Sequence, residues 1–167
     1  MNCKTAVILA AGAGTRMKSE LPKVLHEVCG RPMVSHVISQ AKKAGAETII
    51  AVIGHGAEQV KEGLKEEEIL FALQEKQLGT GHAVMQAADR IPDEGDVFVL
   101  CGDTPLITSE TLAEFAAYHS GSNNAVTVLT AIYDNPFGYG RIIRDAAMLA
   151  ENPQKYQDAI YLSLNHT

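Results

Sequence analysis

From residue 5 onward, apolar runs rich in β-branched residues alternate with stretches of helical period, and this alternation restricts the chain to a largely parallel α/β architecture. The runs at residues 5–10, 48–53, 69–73, 96–101 and 125–132 predict strands. The stretches at 33–44, 57–65, 80–90 and 109–119 predict amphipathic helices. Strands that are apolar along their whole length are buried on both faces, as in a parallel sheet covered by helices. Right-handed crossovers then bring the loop after each strand to one sheet edge, where such folds take their ligands. Helix punctuation agrees. Thr108 is an N-cap residue ahead of the fourth helix, Gly45 closes the first behind Lys42 and Lys43, and Pro32 opens that helix. The run Glu66, Glu67, Glu68 reads as a solvated connection.

At 167 residues the chain is long enough for one well-cored domain but short for two. The expected division is a main domain over residues 1–145 and an atypical tail over 146–167, where a helical stretch meets Asn152 and Pro153. A net charge of −6 argues against a nucleic-acid surface, which needs clustered cations. It leaves room for a phosphate ligand, because a few local cations and backbone N–H groups suffice. No apolar run approaches the roughly 20 residues that span a bilayer, so no membrane partner is expected. The apolar stretch after Lys4 is too short for a signal-peptide core and reads as a buried strand. Three cysteines, Cys3, Cys29 and Cys101, lack metal-type spacing. They suit a reducing, cytoplasmic setting and are expected to be small buried apolar residues.

Five segments carry chemistry. Directly after the first strand come Leu9, Ala10, Ala11, Gly12, Ala13, Gly14, Thr15, Arg16 and Met17. Small residues let a backbone approach a ligand closely, and successive N–H groups in such a turn attract anions. Arg16 adds a donor fork for phosphate, and Lys23 follows on a loop stiffened by Pro22. A dinucleotide fingerprint does not fit, since Met17 stands where a third small residue belongs and the second strand ends without an acidic ribose partner. After the third strand, Gln74 to His82 opens a helix through Gly79, Thr80 and Gly81. A glutamine amide both donates and accepts, which suits a base edge. Asp103 follows Gly102 at the end of the fourth strand and is placed to hold Mg²⁺ between phosphates. A last glycine pair, Gly138 and Gly140, precedes Arg141 and Ile142. Gly-x-Gly beside a strand is weak evidence by itself, and a plain structural turn stays open there.

In order, L-A-A-G-x-G-T-R-M, P-K-V-L-H, Q-x-x-Q-L-G-T-G-H-A, G-D-x-P-L-I and G-Y-G-R-I resemble the pyrophosphorylase domain of the bacterial bifunctional N-acetylglucosamine-1-phosphate uridylyltransferase/glucosamine-1-phosphate acetyltransferase family, over residues 4–145. The resemblance implies a Rossmann-like nucleotidyltransferase fold, a three-layer sandwich with a mostly parallel sheet. It implies that UTP and N-acetylglucosamine 1-phosphate give UDP-N-acetylglucosamine and pyrophosphate with Mg²⁺, for cell-envelope precursor synthesis. Carried onto this chain, Leu9, Ala10, Ala11 and Gly12 face the uracil and ribose, and Arg16 and Lys23 face the triphosphate. Gln74 reads the base with Gly79 and Thr80, Asp103 binds the metal, and Gly140 lies against the sugar phosphate. Two departures stand out. Cys101 replaces an aromatic residue, and residues 146–167 match neither the family's sugar-binding glutamate and asparagines nor its later β-helix. An incomplete C-terminal part is therefore expected, with an unpaired sheet edge that favours self-association. The rival functions are an inactive nucleotide-binding fragment and a cytidylyltransferase-type relative.

Overall fold

The computed structural model describes residues 3–14, 17–122, 124–132, 134, 135, 137, 141, 142, 162 and 163. The chain forms two compact units, Met1–Ala117 and Tyr118–Thr167.

In the first unit, strand β1 (Cys3–Ala10) leads through a loop to a short 3₁₀ turn (Lys23–Leu25) and a hairpin of β2 (Glu27–Val28) and β3 (Arg31–Pro32). Helix α1 (Met33–Lys43), β4 (Thr48–Ile53), α2 (Ala57–Gly63), β5 (Leu70–Leu73), α3 (Thr80–Met85) and β6 (Asp96–Cys101) follow, and α4 (Ser109–Ser122) begins in this unit. The main sheet has the order β5-β4-β1-β6, and all its pairings are parallel. The chain builds outward from β1 through β4 to β5, then returns to place β6 on the other side of β1. The order thus reverses between β1 and β6, and doubly wound sheets bind ligands in the crevice outside the carboxyl ends of the strands at such a point.

Alternation along β1 decides which layer covers which face. Ala6, Ile8 and Ala10 join one apolar cluster with Val34, Val37, Ile38 and Ala41 of α1, Val60 of α2, and Leu112 and Ala116 of α4. Val7 and Ala11 join the opposite cluster with Ile50, Val52, Ala72, Ala83 and Ala87. Helices therefore cover both faces, as an all-parallel sheet demands. Burying each large aliphatic side chain here contributes roughly 1.5–3 kcal/mol.

The helix ends follow the expected chemistry. Thr108 Oγ1 accepts the N–H of Thr111 at 3.2 Å. Gly45, at φ 97°, donates its N–H to the carbonyl of Lys42 at 3.0 Å, a left-handed stop. Pro32 sits one position earlier than expected, as the extended residue that caps α1. The stretch expected to be helical over 80–90 divides into α3 and a 3₁₀ turn, Ala88–Arg90. Ile91 is extended (ψ 127°) because it precedes Pro92, so the coil tightens and stops there.

Two expectations are corrected. Residues 125–132 form no strand. Their apolar side chains at Val126, Leu129 and Ile132 are exposed, and β-propensity does not hold a strand without a ladder partner. Of the cysteines, only Cys3 is buried; Cys29 and Cys101 are exposed. Cys29 occupies the tight turn between β2 and β3, where it and Gly30 both take positive φ (51° and 75°), and such a turn has no interior to fill. In the second unit, Arg141–Ile142 (β7) pairs antiparallel with Leu162–Ser163 (β8). No helix among the described residues is long and apolar enough to cross a membrane.

Candidate active site

The crevice is walled first by the ends of β1 and β6. The N–H of Gly102 donates to the carbonyl of Leu9 at 3.0 Å. A Cβ on Gly102 would lie 2.9 Å from that oxygen, so a glycine is required for the two strand ends to meet. Ala10 and Ala11 turn their methyl groups into the two cores and are almost fully buried, so only their backbones are available to a ligand. Gly12 has open space where a side chain would project. Gly14 takes φ +59°, and a Cβ there would lie 2.8 Å from Cβ of Lys23. The glycine loop thus packs directly on the lysine segment.

Lys23 is held by its neighbours. Pro22, Val24 and Leu25 are buried beside it. Pro22 and Leu25 lie so close to α2 that a Cβ on Gly56 would come within 2.5 Å of the proline ring and one on Gly63 within 2.8 Å of the leucine. From this packed turn the ammonium of Lys23 reaches Asp103 Oδ2 at 2.6 Å, with both side chains about one-third exposed (34% each). Asp103 does not cap α4, whose first N–H bonds instead to Gln40 Oε1 at 2.9 Å. Cys101 is exposed as a residue, yet partial desolvation of its thiol pushes it up first and the charge of Asp103 second, while Lys23 pulls it down.

The second wall follows β5. Gln74 is 4% exposed, and its backbone N–H donates to Ile53 O at 2.7 Å. Its Nε2 donates to the Gly79 carbonyl at 3.1 Å and lies 3.0 Å from His82 Nδ1. Gly79 takes φ +101° and has open space beside it, and Thr80 begins α3 with its side chain exposed. Gln77 Nε2 donates to the carbonyl of Ala11 at 2.7 Å and ties this wall to the first. His82 and Gln86, with Leu73, Glu75 and Lys76, also line a cleft of about 260 Å³.

The structure therefore gathers Leu9, Ala10, Ala11, Gly12, Lys23 and Asp103 on one wall and Gln74, Gly79 and Thr80 on the other. Arg16 and Gly140 lie outside the described residues. Sequence reasoning passed over Gln77 and His82, whose signal was their spacing from Gln74 in the segment that turns from β5 into α3. No three His, Cys, Asp or Glu side chains converge among the described residues. Asp103, a hard and partly open oxygen donor, fits an ion completed by substrate oxygens, the mode Mg²⁺ favours.

Known proteins resemble this chain in sequence and in fold. The chain is 57% identical over 155 residues to the bifunctional protein GlmU of Geobacillus thermodenitrificans, covering 92% of this chain and 34% of that one. It is 56% identical over 145 residues to the bifunctional protein GlmU of Clostridioides difficile, covering 87% and 31%. The chain thus spans about a third of the length of the curated relatives it matches. Among solved structures, a nucleotidyl transferase from Methanothermobacter thermautotroptrophicus superposes with TM-score 0.63 at 23% identity, over 71% of this chain and 58% of that one. A UDP-glucose pyrophosphorylase from Acinetobacter baumanii gives 0.62 at 23%, over 72% and 54%. Both likenesses bear on the fold. The profile of the MobA-like NTP transferase domain matches residues 6–163, past Asp145 where the sequence motifs end. By that match the chain belongs to the MobA-like NTP transferase domain family.

Proposed function

We propose that this chain is the nucleotide-binding part of a UTP-dependent N-acetylglucosamine-1-phosphate uridylyltransferase, making UDP-N-acetylglucosamine and pyrophosphate for cell-envelope precursors. The observation that carries the reading is the meeting of Lys23 with Asp103 at the crevice, beside a glycine loop with open space at Gly12. The GlmU relatives, at 57% and 56% identity, support the same activity.

In this reading an oxygen of the sugar phosphate attacks the α-phosphorus of UTP and pyrophosphate leaves, so no covalent bond to the protein is needed. The chain's work is alignment and charge neutralisation. Lys23 exchanges Asp103 for a phosphate oxygen when UTP enters, and Arg16 adds a second cation from the glycine loop. Asp103, freed of that pair, would be the protein ligand for a divalent ion, which we take to be Mg²⁺. When bound, that ion supplies Lewis-acid neutralisation of the phosphate charge. The Leu9–Gly12 backbone lies along the base and ribose, Gln74 reads the uracil beside Gly79 and Thr80, and Gly140 borders the sugar phosphate. Three free cysteines agree with a reducing cytoplasm.

Pyrophosphate release with UTP, Mg²⁺ and N-acetylglucosamine 1-phosphate tests the reading. A rate equal to a protein-free blank sinks it and leaves a nucleotide-binding chain without turnover. A larger rise in melting temperature with CTP than with UTP favours cytidylyl transfer instead.

A further inference from the structure

The side-chain amide of Gln74 cannot by itself tell uracil from cytosine, because it offers an oxygen on one side and an NH₂ on the other. Uracil presents an N–H at N3, whereas cytosine presents a lone pair there. Discrimination requires something that fixes which end of the amide faces the base.

The structure contains such a device. Gln74 Nε2 lies 3.1 Å from the carbonyl of Gly79, a group that only accepts. The nitrogen must therefore face Gly79, and its second hydrogen points at His82 Nδ1, 3.0 Å away. A neutral imidazole accepts at one ring nitrogen only. Nδ1 is then bare, and Nε2 carries the proton. The longer approach of Gln86 Nε2 to His82 Nε2, at 3.4 Å, is accordingly not a second N–H···N bond. With both amide hydrogens spent on Gly79 and His82, Oε1 is the hydrogen-bonding atom of Gln74 left over, with no partner among the described residues.

We infer that His82 is a specificity-positioning residue. Its Nδ1, as the second acceptor beside the Gly79 carbonyl, locks the Gln74 amide with its oxygen toward the base, so that the site accepts a pyrimidine with an imino N–H and repels one with a lone pair at N3. The inference rests on the uridylyl-transfer reading, in which Gln74 meets the base. Its physics is that of a buried polar group with one permitted orientation. The wrong base faces an acceptor with an acceptor, and the mismatch is costly because Gln74 is 4% exposed and water cannot intervene cheaply.

Calorimetric titration of the whole chain with UTP and with CTP tests it, in the wild type, His82→Leu and His82→Asn. Asparagine places Oδ1 where Nδ1 stood and preserves the acceptor; leucine removes it. The wild type should prefer UTP, His82→Leu should lose roughly tenfold of that preference, the scale of one oriented hydrogen bond, and His82→Asn should keep most of it. A purely structural role would weaken both nucleotides alike, and an unchanged preference in His82→Leu, or an equal loss for both, overturns the inference. A wild type that binds the two nucleotides equally sinks the uridylyl reading and this inference together, whereas a selective wild type with a selective His82→Leu sinks the inference alone. Should His82→Leu fail to fold, the ring ¹⁵N shifts of His82 in the ligand-free wild type decide, together with the selectivity of His82→Asn. An unprotonated Nδ1 with retained selectivity supports the lock, and a protonated Nδ1 or lost selectivity refutes it.

Discussion

Lys23 and Asp103, 80 residues apart in sequence, form an ion pair of 2.6 Å that joins the turn after the glycine loop to the end of β6. In the ligand-free chain each charge neutralises the other at the place where the triphosphate and its cation are proposed to lie. A partly exposed, solvent-screened pair of this kind is worth about 1 kcal/mol or less to stability, so its removal should move the melting temperature only slightly. Lys23→Met should instead lower kcat/KM by roughly two to four powers of ten, as for loss of a contact to developing phosphate charge. Steady-state pyrophosphate release beside a thermal melt checks both halves. Unchanged kinetics would return Lys23 to a structural role.

The same pair governs a neighbouring thiol. Cys101 is raised by burial and by Asp103 and lowered by Lys23. Asp103→Asn should therefore increase its thiolate fraction, and Lys23→Met should decrease it. At one mildly alkaline pH, iodoacetamide should label the Cys101 peptide fastest in Asp103→Asn and slowest in Lys23→Met, with the wild type between. Peptide mass spectrometry separates this site from exposed Cys29, and a reversed order would show that the pair does not act on Cys101 electrostatically.

Cys3 makes a pH-dependent contribution to folding. Its thiol is raised from 9.0 to about 11, by burial first and by the charge of Asp96 second. The folded state then holds the proton more tightly than the unfolded chain. The stabilisation is complete below pH 9 and is lost as pH rises toward 11. Urea unfolding across that window should show a steeper decline for the wild type than for Cys3→Ala. Parallel slopes in the two proteins would contradict the burial of this thiol.

Two glycines should respond to alanine with opposite signs. At Gly102 the new Cβ meets the Leu9 carbonyl at 2.9 Å, and neither strand end can retreat without opening the crevice. Gly102→Ala should cost about 1–3 kcal/mol and weaken nucleotide binding. At Gly121, within α4, nothing lies within 4 Å. Gly121→Ala should stabilise by about 0.4–1 kcal/mol, mainly by restricting the unfolded chain. Denaturant midpoints of the two variants provide the comparison.

Much of the architecture was legible along the chain because the signals are local. Four of the five strand assignments match β1, β4, β5 and β6 to within two residues at either end, since continuous apolar runs admit few other uses. The fifth, at 125–132, shows where this logic fails. The run has the composition of a strand, but a strand exists only when another strand supplies its hydrogen bonds. The cysteines teach the same lesson. A small apolar residue is buried only if its position in the fold has an inside, and Cys29 occupies a two-residue turn.

By itself the sequence determined the four strands of the main sheet and the helices between them to within a few residues, the caps at Thr108 and Gly45, the glycine loop and the residue types for phosphate and base, all of which follow from neighbours a few positions apart. The tertiary structure alone decided the strand order β5-β4-β1-β6, and with it the crevice between β1 and β6. It also decided that Lys23 meets Asp103, that Gln77 ties Ala11 to the second wall, and that His82 orients Gln74. These contacts depend on distances and hydrogen-bond polarity that exist only after the chain has closed, and nothing in the local periodicity of a strand or helix encodes them.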